Sequence, residues 1–128
     1  MALLEHLGLT RVIDSAEYVY YVGGRTGVGL RPAAAEFAET TFAQGRPGLH
    51  HVCFRARERS DVDSVHALMR QLGATVVHPP QEDRWVAGYY SVLFEDPDGI
   101  RLEINHVPGK GVFDRAIQQV RTGPSGKE

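Results

Sequence analysis

Hydrophobic residues follow two different spacings along the second half of the chain, and each spacing predicts its own kind of element. In residues 49–56 apolar and polar side chains alternate, which is typical of a strand with one buried face. A helix is predicted next, with Ser60 as its N-cap and Gly73 just beyond its end. Its apolar stripe has the three- and four-residue spacing of one helix face: Val62, Val65, Leu68, Met69 and Leu72.

Three further strands are predicted after this helix, over residues 75–78, 89–94 and 100–105. Pro79 and Pro80 are expected to stop the first of them, because proline cannot donate to a strand ladder. The run Asp96-Pro97-Asp98-Gly99 is a strong turn signal between the other two. The order of elements is therefore β-α-β-β-β, which places the chain in the α+β class.

The first part of the chain repeats this pattern in a shorter form. Residues 7–12 correspond to 72–77, and residues 18–30 correspond to 90–102 with a shorter loop. The repeat predicts tandem βαβββ modules within one structural domain. The first module and its connector occupy residues 1–48, the second module residues 49–109 and a tail residues 110–128. The counterpart of His51 would precede Met1, so the first module is expected to lack its first strand.

Two more helices are predicted outside the modules proper. Residues 33–44 are expected to form a helical connector, and residues 112–121 a short amphipathic helix before a disordered end at 122–128.

Composition and charge exclude several classes of protein. The chain has 128 residues, of which 42% are hydrophobic and 23% charged, enough for a core and a polar surface. A net charge of −2 offers no basic surface for nucleic acid. No apolar run is long enough to span a membrane, and the first residues do not form a signal peptide. The single cysteine agrees with a reducing cytoplasm.

Strand periodicity collects polar residues on one face of the second module. The apolar faces of the first and last strands should pack on the helix. The opposite face is left with residues of catalytic or binding type: His51, Cys53, Arg55, Arg101, Glu103 and Asn105. Such a face is either exposed to solvent or forms a functional cavity, and Cys53 is interpreted as part of its wall.

The repeat and its motifs resemble the vicinal oxygen chelate superfamily, which includes glyoxalase I, bleomycin-resistance proteins and extradiol dioxygenases. Three motifs carry the resemblance: Gly48-Leu49-His50-His51-Val52-Cys53-Phe54, then Leu72-Gly73, then the run from Phe94 to Glu103. The resemblance implies that the two modules curl around a cavity. It also implies that a divalent metal (Zn, Ni, Fe or Mn) in that cavity chelates two adjacent substrate oxygens. It places His51 and Glu103 at ligand positions, with Glu103 also catalytic. His50 is expected to point to the other strand face.

The sequence also departs from the family pattern. The first-module histidine would lie before Met1, and the first-module carboxylate position holds Arg31, which cannot ligate a metal. At most two of four ligand positions therefore remain. Either His51 and Glu103 bind a metal with help from other residues or a second chain, or they form a hydrogen-bonded pair in a metal-free cavity.

These observations lead to a set of functional hypotheses. The chain is expected to be a lyase, isomerase or dioxygenase of the glyoxalase type, with a metal-free binding or antibiotic-sequestration protein as the alternative, or a truncated product. An anionic small molecule is the expected ligand, and residues proposed to bind it are Arg31, Arg55, Trp85, Tyr89, Arg101 and Asn105. Unpaired strand edges predict a homodimer.

Overall fold

The computed structural model describes residues 1–109 and supports the predicted α+β class. The helix proposed for residues 112–121 and the disordered end at 122–128 lie outside the described residues. The chain divides into two compact units, the first spanning Met1–Arg46 and the second beginning at Pro47. Within the described residues, no helix has the length and apolar character needed to cross a membrane.

The first unit is a short helix followed by an antiparallel three-stranded sheet. Its elements are α1 (Ala2–His6), β1 (Thr10–Asp14), β2 (Val19–Gly23) and β3 (Thr26–Leu30), in the sheet order β1-β2-β3. Tyr21 of β2 is fully buried, and its hydroxyl donates to Glu5 Oε1 at 3.0 Å. This bond ties the central strand to the helix. Gly27 and Gly29 of β3 leave room for the ring of Tyr20 in β2 and the ring of Tyr18 just before it, since a Cβ at either glycine would collide with a ring.

The predicted helical connector is wrong. In place of a helix over residues 33–44, a single 3₁₀ turn spans Ala35–Phe37. Its first flanking residue, Ala34, is extended, and no side chain caps the turn. Phe37, its largest apolar residue, is exposed, so the segment buries no stripe that could stabilise a longer helix.

The second unit has the predicted β-α-β-β-β order. Its elements are β4 (Val52–Arg55), α2 (Arg59–Gln71), β5 (Val76–Glu82), β6 (Tyr90–Glu95) and β7 (Arg101–His106). The sheet order is β4-β7-β6-β5, with β4 parallel to β7 and the other pairs antiparallel. Helix α2 packs on β5, β6 and β7. The buried core between them consists of Val62, Val65, Met69, Val92, Phe94 and Ile104.

Helix α2 begins earlier than its hydrophobic stripe suggests. The N-cap is Glu58, not Ser60, and the Glu58 backbone N–H donates to Asp61 Oδ2 at 2.9 Å. A carboxylate in the first turn satisfies a backbone donor that has no partner inside the helix. The predicted end is confirmed, because Gly73 has a positive φ of 68° directly after the C-cap.

Strand β5 continues through Pro79 and Pro80, so the prediction that they end it is wrong. The strand lies at the edge of the sheet, where a missing N–H breaks no ladder on the outer side. Its pairing with β6 shifts register between His78 and Gln81, which absorbs the two prolines.

Candidate functional site

The polar face of the second unit is centred on β7, the strand between β4 and β6. Glu103 pairs with Cys53 of β4 and with Leu93 of β6, and Asn105 pairs with Arg55 and Ser91. Since Ile104 packs with the core under α2, alternation places its two neighbours on the opposite face. Glu103 and Asn105 are nevertheless buried, at 9% and 4% exposure. Buried polar groups need hydrogen-bond partners, and these two have several.

Glu103 is surrounded by donors on both of its carboxylate oxygens. Oε1 accepts from the Tyr89 hydroxyl and from Asn105 Nδ2, the latter at 3.2 Å, and the Cys53 thiol lies 3.8 Å away. Oε2 lies 3.2 Å from His51 Nε2. Every contact comes from a group that can donate, so the arrangement suits an ionised carboxylate.

The Tyr89 hydroxyl and the Cys53 thiol beside Glu103 both keep their hydrogens. Burial raises the pKa of Tyr89 above its ordinary value, and the hydrogen bond to Glu103 raises it further. Burial also raises the pKa of the Cys53 thiol to about 12, with the Glu103 charge adding to the effect. Although Cys53 as a residue is exposed, its thiol lies against the carboxylate. Both groups therefore remain protonated donors at neutral pH, and Cys53 is not an activated nucleophile.

Asn105 makes a second hydrogen bond to the Tyr89 hydroxyl. Its Nδ2 donates to the Tyr89 oxygen at 2.7 Å as well as to Glu103. Because the Tyr89 proton goes to Glu103, the amide nitrogen must face the tyrosine, and the amide orientation is determined. Asn105 Oδ1 is then a buried acceptor without a hydrogen-bond partner in the described part of the chain.

The sequence-based placement of His50 is wrong. His50 Nδ1 lies 2.7 Å from His51 Nδ1, and the two rings meet edge to face at 4.9 Å. The expectation that they point to opposite faces applied strand alternation to residues that precede the strand, which begins at Val52. Gly48, with φ 147°, lies shortly before them. His50 therefore belongs to the site, and its position directly next to His51 was the available signal.

His51 and Glu103 have the spacing of two ligands on one divalent ion. Two donors bound side by side at about 2.0–2.2 Å lie roughly 3 Å apart, and His51 Nε2 and Glu103 Oε2 are separated by 3.2 Å. Within residues 1–109 no group of three or more His, Cys, Asp or Glu residues is arranged to hold an ion. The pair thus fits half of a metal site, whose remaining ligands would be solvent, substrate or another chain.

The loop between β5 and β6 brings Tyr89 to the site but leaves Trp85 in solvent. The loop is closed by backbone bonds from Asp83 N–H to Tyr89 O and from Tyr89 N–H to Val86 O, at 2.9 and 3.0 Å. Trp85 near its tip is 79% exposed. Asp83 accepts from Ser91 Oγ at 3.0 Å, a contact that sequence reasoning did not anticipate.

The three predicted ligand-binding arginines have different surroundings. Arg55 is exposed, and its charge counteracts part of the burial-driven rise in the pKa of Cys53, so its field reaches the site. Arg101 Nε lies 3.6 Å from Glu95 Oε1, which offsets its charge locally. Arg31 follows β3 in the first unit, where it lines a shallow pocket with Tyr18 and Leu30.

Known structures share this fold over most of their length. A glyoxalase-type protein from Bacillus halodurans is 29% identical, with a TM-score of 0.70 over 83% of this chain and 80% of that one. A lactoylglutathione lyase from Agrobacterium tumefaciens is 26% identical, with a TM-score of 0.54 over 80% and 78%. A glyoxalase/bleomycin resistance protein from Albidiferax ferrireducens T118 is 24% identical, with a TM-score of 0.63 over 84% and 82%.

The family follows from a sequence comparison. No curated protein matches the sequence closely enough to name a relative. The model of one superfamily, however, matches residues 5–104, which is most of the chain. The chain therefore belongs to the Glyoxalase/Bleomycin resistance protein/Dioxygenase superfamily.

Proposed function

We propose that this protein is a lyase or isomerase of the glyoxalase type that moves a proton beside a carbonyl group of a small, oxygen-rich substrate. The observation that carries the proposal is the contact between His51 Nε2 and Glu103 Oε2 on a buried carboxylate whose other oxygen is already held. The lyase from Agrobacterium tumefaciens, at 26% identity, supports this reaction class over oxygen chemistry.

Glu103 is the proposed base, and we assign its Oε2 as the oxygen that accepts the proton from the substrate. Oε1 is engaged by Tyr89 and Asn105, which stabilise its negative charge and fix the plane of the carboxylate. Oε2 faces His51, whose side chain is 33% exposed, so this is the side from which a substrate can approach. A base must lie within hydrogen-bond reach of the proton that it removes, and Oε2 meets that need for a substrate on this face.

His51 and Glu103 are also the residues that would hold a divalent ion such as Zn, Ni, Fe or Mn. When bound, such an ion polarises adjacent substrate oxygens and makes the neighbouring C–H bond more acidic. Two protein ligands give weak affinity, so we propose that a second copy of the chain completes the site in a homodimer. The open outer edge of β4 supports an assembly of this kind.

Asn105 and Arg55 are the residues to which we assign substrate recognition. The buried Asn105 Oδ1 suits a hydroxyl donor on the substrate. Arg55, in register with Asn105 on the neighbouring strand, would favour a substrate with a carboxylate or another anionic group. Both features fit a small 2-hydroxycarbonyl compound.

Hydrogen exchange in heavy water tests the proposed proton transfer by itself, because exchange requires only the first step of the reaction. The protein, supplied with Zn, Ni or Mn, is incubated with 2-hydroxyacyl thioesters such as lactoylglutathione and with 2-hydroxyketones. Proton NMR then follows replacement of the hydrogen beside the carbonyl by deuterium. We expect exchange with the native protein and its loss in Glu103→Gln, while Glu95→Gln, which changes another partly buried carboxylate of the same sheet, keeps it.

Other outcomes would assign a different function. Oxygen consumption with catechols and no hydrogen exchange would indicate a dioxygenase. Tight binding of small molecules without exchange or turnover would indicate the metal-free binding protein. Exchange that survives Glu103→Gln would remove Glu103 from the role of base.

A further inference from the structure

The contact between His50 and His51 restricts where their protons lie. Two nitrogen atoms 2.7 Å apart can hold only one hydrogen between them, so one Nδ1 donates and the other accepts. At its other end, His51 Nε2 lies 3.2 Å from Glu103 Oε2. Since an ionised carboxylate can only accept, Nε2 of a neutral His51 carries the hydrogen. His51 Nδ1 is then the acceptor, and His50 Nδ1 is the donor.

His50 lies where it can support the ring of His51. The two rings meet edge to face, at 77° between their planes, so His50 both donates to His51 and packs against it. His50 itself is exposed, whereas His51 is partly buried against Glu103. Such contacts set the tautomer and the ring orientation of a functional histidine.

We propose that His50 is a positioning residue that holds the His51 ring against Glu103 and supports both neutral tautomers of His51. In the arrangement described, His50 Nδ1–H donates to His51 Nδ1. If His51 Nε2 must instead present its lone pair to an ion, His51 carries its hydrogen on Nδ1. The hydrogen bond then runs in the reverse direction: His51 Nδ1–H donates to His50 Nδ1, and the hydrogen of His50 lies on its Nε2.

This exchange conserves protons and charge. His51 releases its Nε2 hydrogen to water and receives one at Nδ1 from His50, and His50 takes one at Nε2 from water, so the solvent gains one proton and loses one. Both rings are neutral before and after, so the pair changes tautomer without creating a buried charge. The holding role of His50 stands on the geometry alone, whereas the use of the second tautomer rests on the proposed function.

The first experiment observes the His50–His51 hydrogen bond directly. Long-range ¹H–¹⁵N NMR spectra of the chelator-treated protein, at about pH 8.5 and so roughly two units above the ordinary histidine pKa, assign the protonated nitrogen of each ring. We expect His51 to carry hydrogen at Nε2 and to accept at Nδ1. In His50→Phe the ¹⁵N resonance of His51 Nδ1 should move to the chemical shift of an unprotonated ring nitrogen that receives no hydrogen bond. His50→Asn, whose amide can donate from a similar position, should restore it.

A matched control separates this effect from a general change in the protein. His66→Gln removes another imidazole, on helix α2, and should leave the His51 resonances unchanged. If His50→Phe shifts the His51 nitrogens no more than His66→Gln does, His50 does not position His51 and the inference is overturned. Circular dichroism verifies that each variant is folded.

The second experiment tests the reversed hydrogen bond through metal binding. Zinc and nickel affinities are measured by calorimetry on the full chain. Loss of a partner behind a metal-ligating histidine lowers affinity about 10–100-fold, and we expect this from His50→Phe. His50→Asn should recover most of the loss, since its amide oxygen can accept from His51 Nδ1–H. Equal losses in both variants would overturn the two-tautomer role. If the native protein binds neither metal, the metal-dependent function fails, while the NMR result still decides the positioning role.

Discussion

Tyr89 donates its hydroxyl hydrogen to Glu103 and thereby joins the loop after β5 to the central strand β7. The same hydroxyl oxygen accepts from Asn105 Nδ2 at 2.7 Å. Because burial raises the pKa of Tyr89, the hydroxyl remains a donor throughout the neutral range. A carboxylate that is buried on a sheet face is held by a residue 14 positions earlier in the chain.

Removal of this hydroxyl should destabilise the protein. Tyr89→Phe leaves Glu103 Oε1 with a weaker set of donors, and a buried group that loses its partner costs about 1–3 kcal/mol. Urea denaturation measures the loss. Tyr90→Phe is the matched control, since its exposed hydroxyl donates to Asp63 at 2.7 Å and surface changes fall within about 0.5 kcal/mol. Equal losses in the two variants would contradict the importance of the buried contact.

Asn105→Asp should make stability depend on pH in a defined direction. The new carboxylate would lie beside Glu103, where the native amide donates at 3.2 Å. Two like charges raise the pKa of one carboxyl above its unfolded value, so the folded variant binds an extra proton more tightly than the unfolded chain does. Its stability should therefore be lowest at neutral pH and recover toward the native value as the pH falls. Thermal melts from pH 8 to pH 4, as a rough range spanning the carboxyl pKa, measure this, and a constant difference from the native protein would contradict it.

Cys53 should be slow to alkylate. A rise of the thiol pKa from 9.0 to about 12 leaves about a thousandfold less thiolate at neutral pH. Iodoacetamide modification of the chelator-treated protein should be correspondingly slow and should still accelerate well above pH 9. Glu103→Gln should speed it, because burial is then no longer reinforced by a nearby negative charge. Glu95→Gln serves as the control. A rate that levels off near the pKa of a free cysteine would contradict the burial of the thiol, and an unchanged rate in Glu103→Gln would contradict the contribution of the Glu103 charge.

The predictable features of the fold are those that a short stretch of sequence determines. Val62, Val65 and Met69 of the predicted helix stripe are buried, as is Ile104 of the last strand. Leu72, which the predicted stripe included, is 56% exposed, because it is the C-cap residue at which α2 ends. The effect of Pro79 could not be predicted in the same way. A proline is tolerated when its strand lies at the sheet edge, and strand order is a tertiary property.

The residues of the site also divide into those that a short stretch of sequence predicts and those that depend on the folded structure. Strand periodicity places Cys53, Glu103 and Asn105 on one face, and their contacts agree with it. Periodicity fails for His50, because it lies before the strand, where alternation does not apply. The pairing of Arg101 with Glu95 across the turn was also not anticipated, since it depends on the register of β6 and β7.

The proposed homodimer should depend on the edge strand that carries no proline. Val52 on β4 and Val77 on β5 are exposed to similar degrees, 37% and 38%. Prolines in β5 obstruct pairing there, whereas β4, the other edge strand of this sheet, has none. A lysine on an edge strand opposes pairing with another chain. Light scattering at tens of micromolar should show a dimer for the native chain and Val77→Lys, and a monomer for Val52→Lys. A monodisperse native monomer would contradict the dimer, and a dimer in both variants would exclude the β4 edge.

The preference for anionic ligands should depend on Arg55 more than on Arg101. Glu95 lies beside Arg101 at 3.6 Å and offsets its charge. Arg55 pairs in register with Asn105, which donates to Glu103, and the Arg55 charge lowers the pKa of Cys53. Thermal shifts with paired compounds such as lactate and lactamide compare an anion with its neutral analogue, because a ligand that binds only the folded state raises its Tm. We expect the anion to stabilise the native protein more, a preference that Arg55→Gln removes and Arg101→Gln weakens. Equal stabilisation by both compounds, or a preference unaffected by Arg55→Gln, would show that the site does not select its ligand by negative charge.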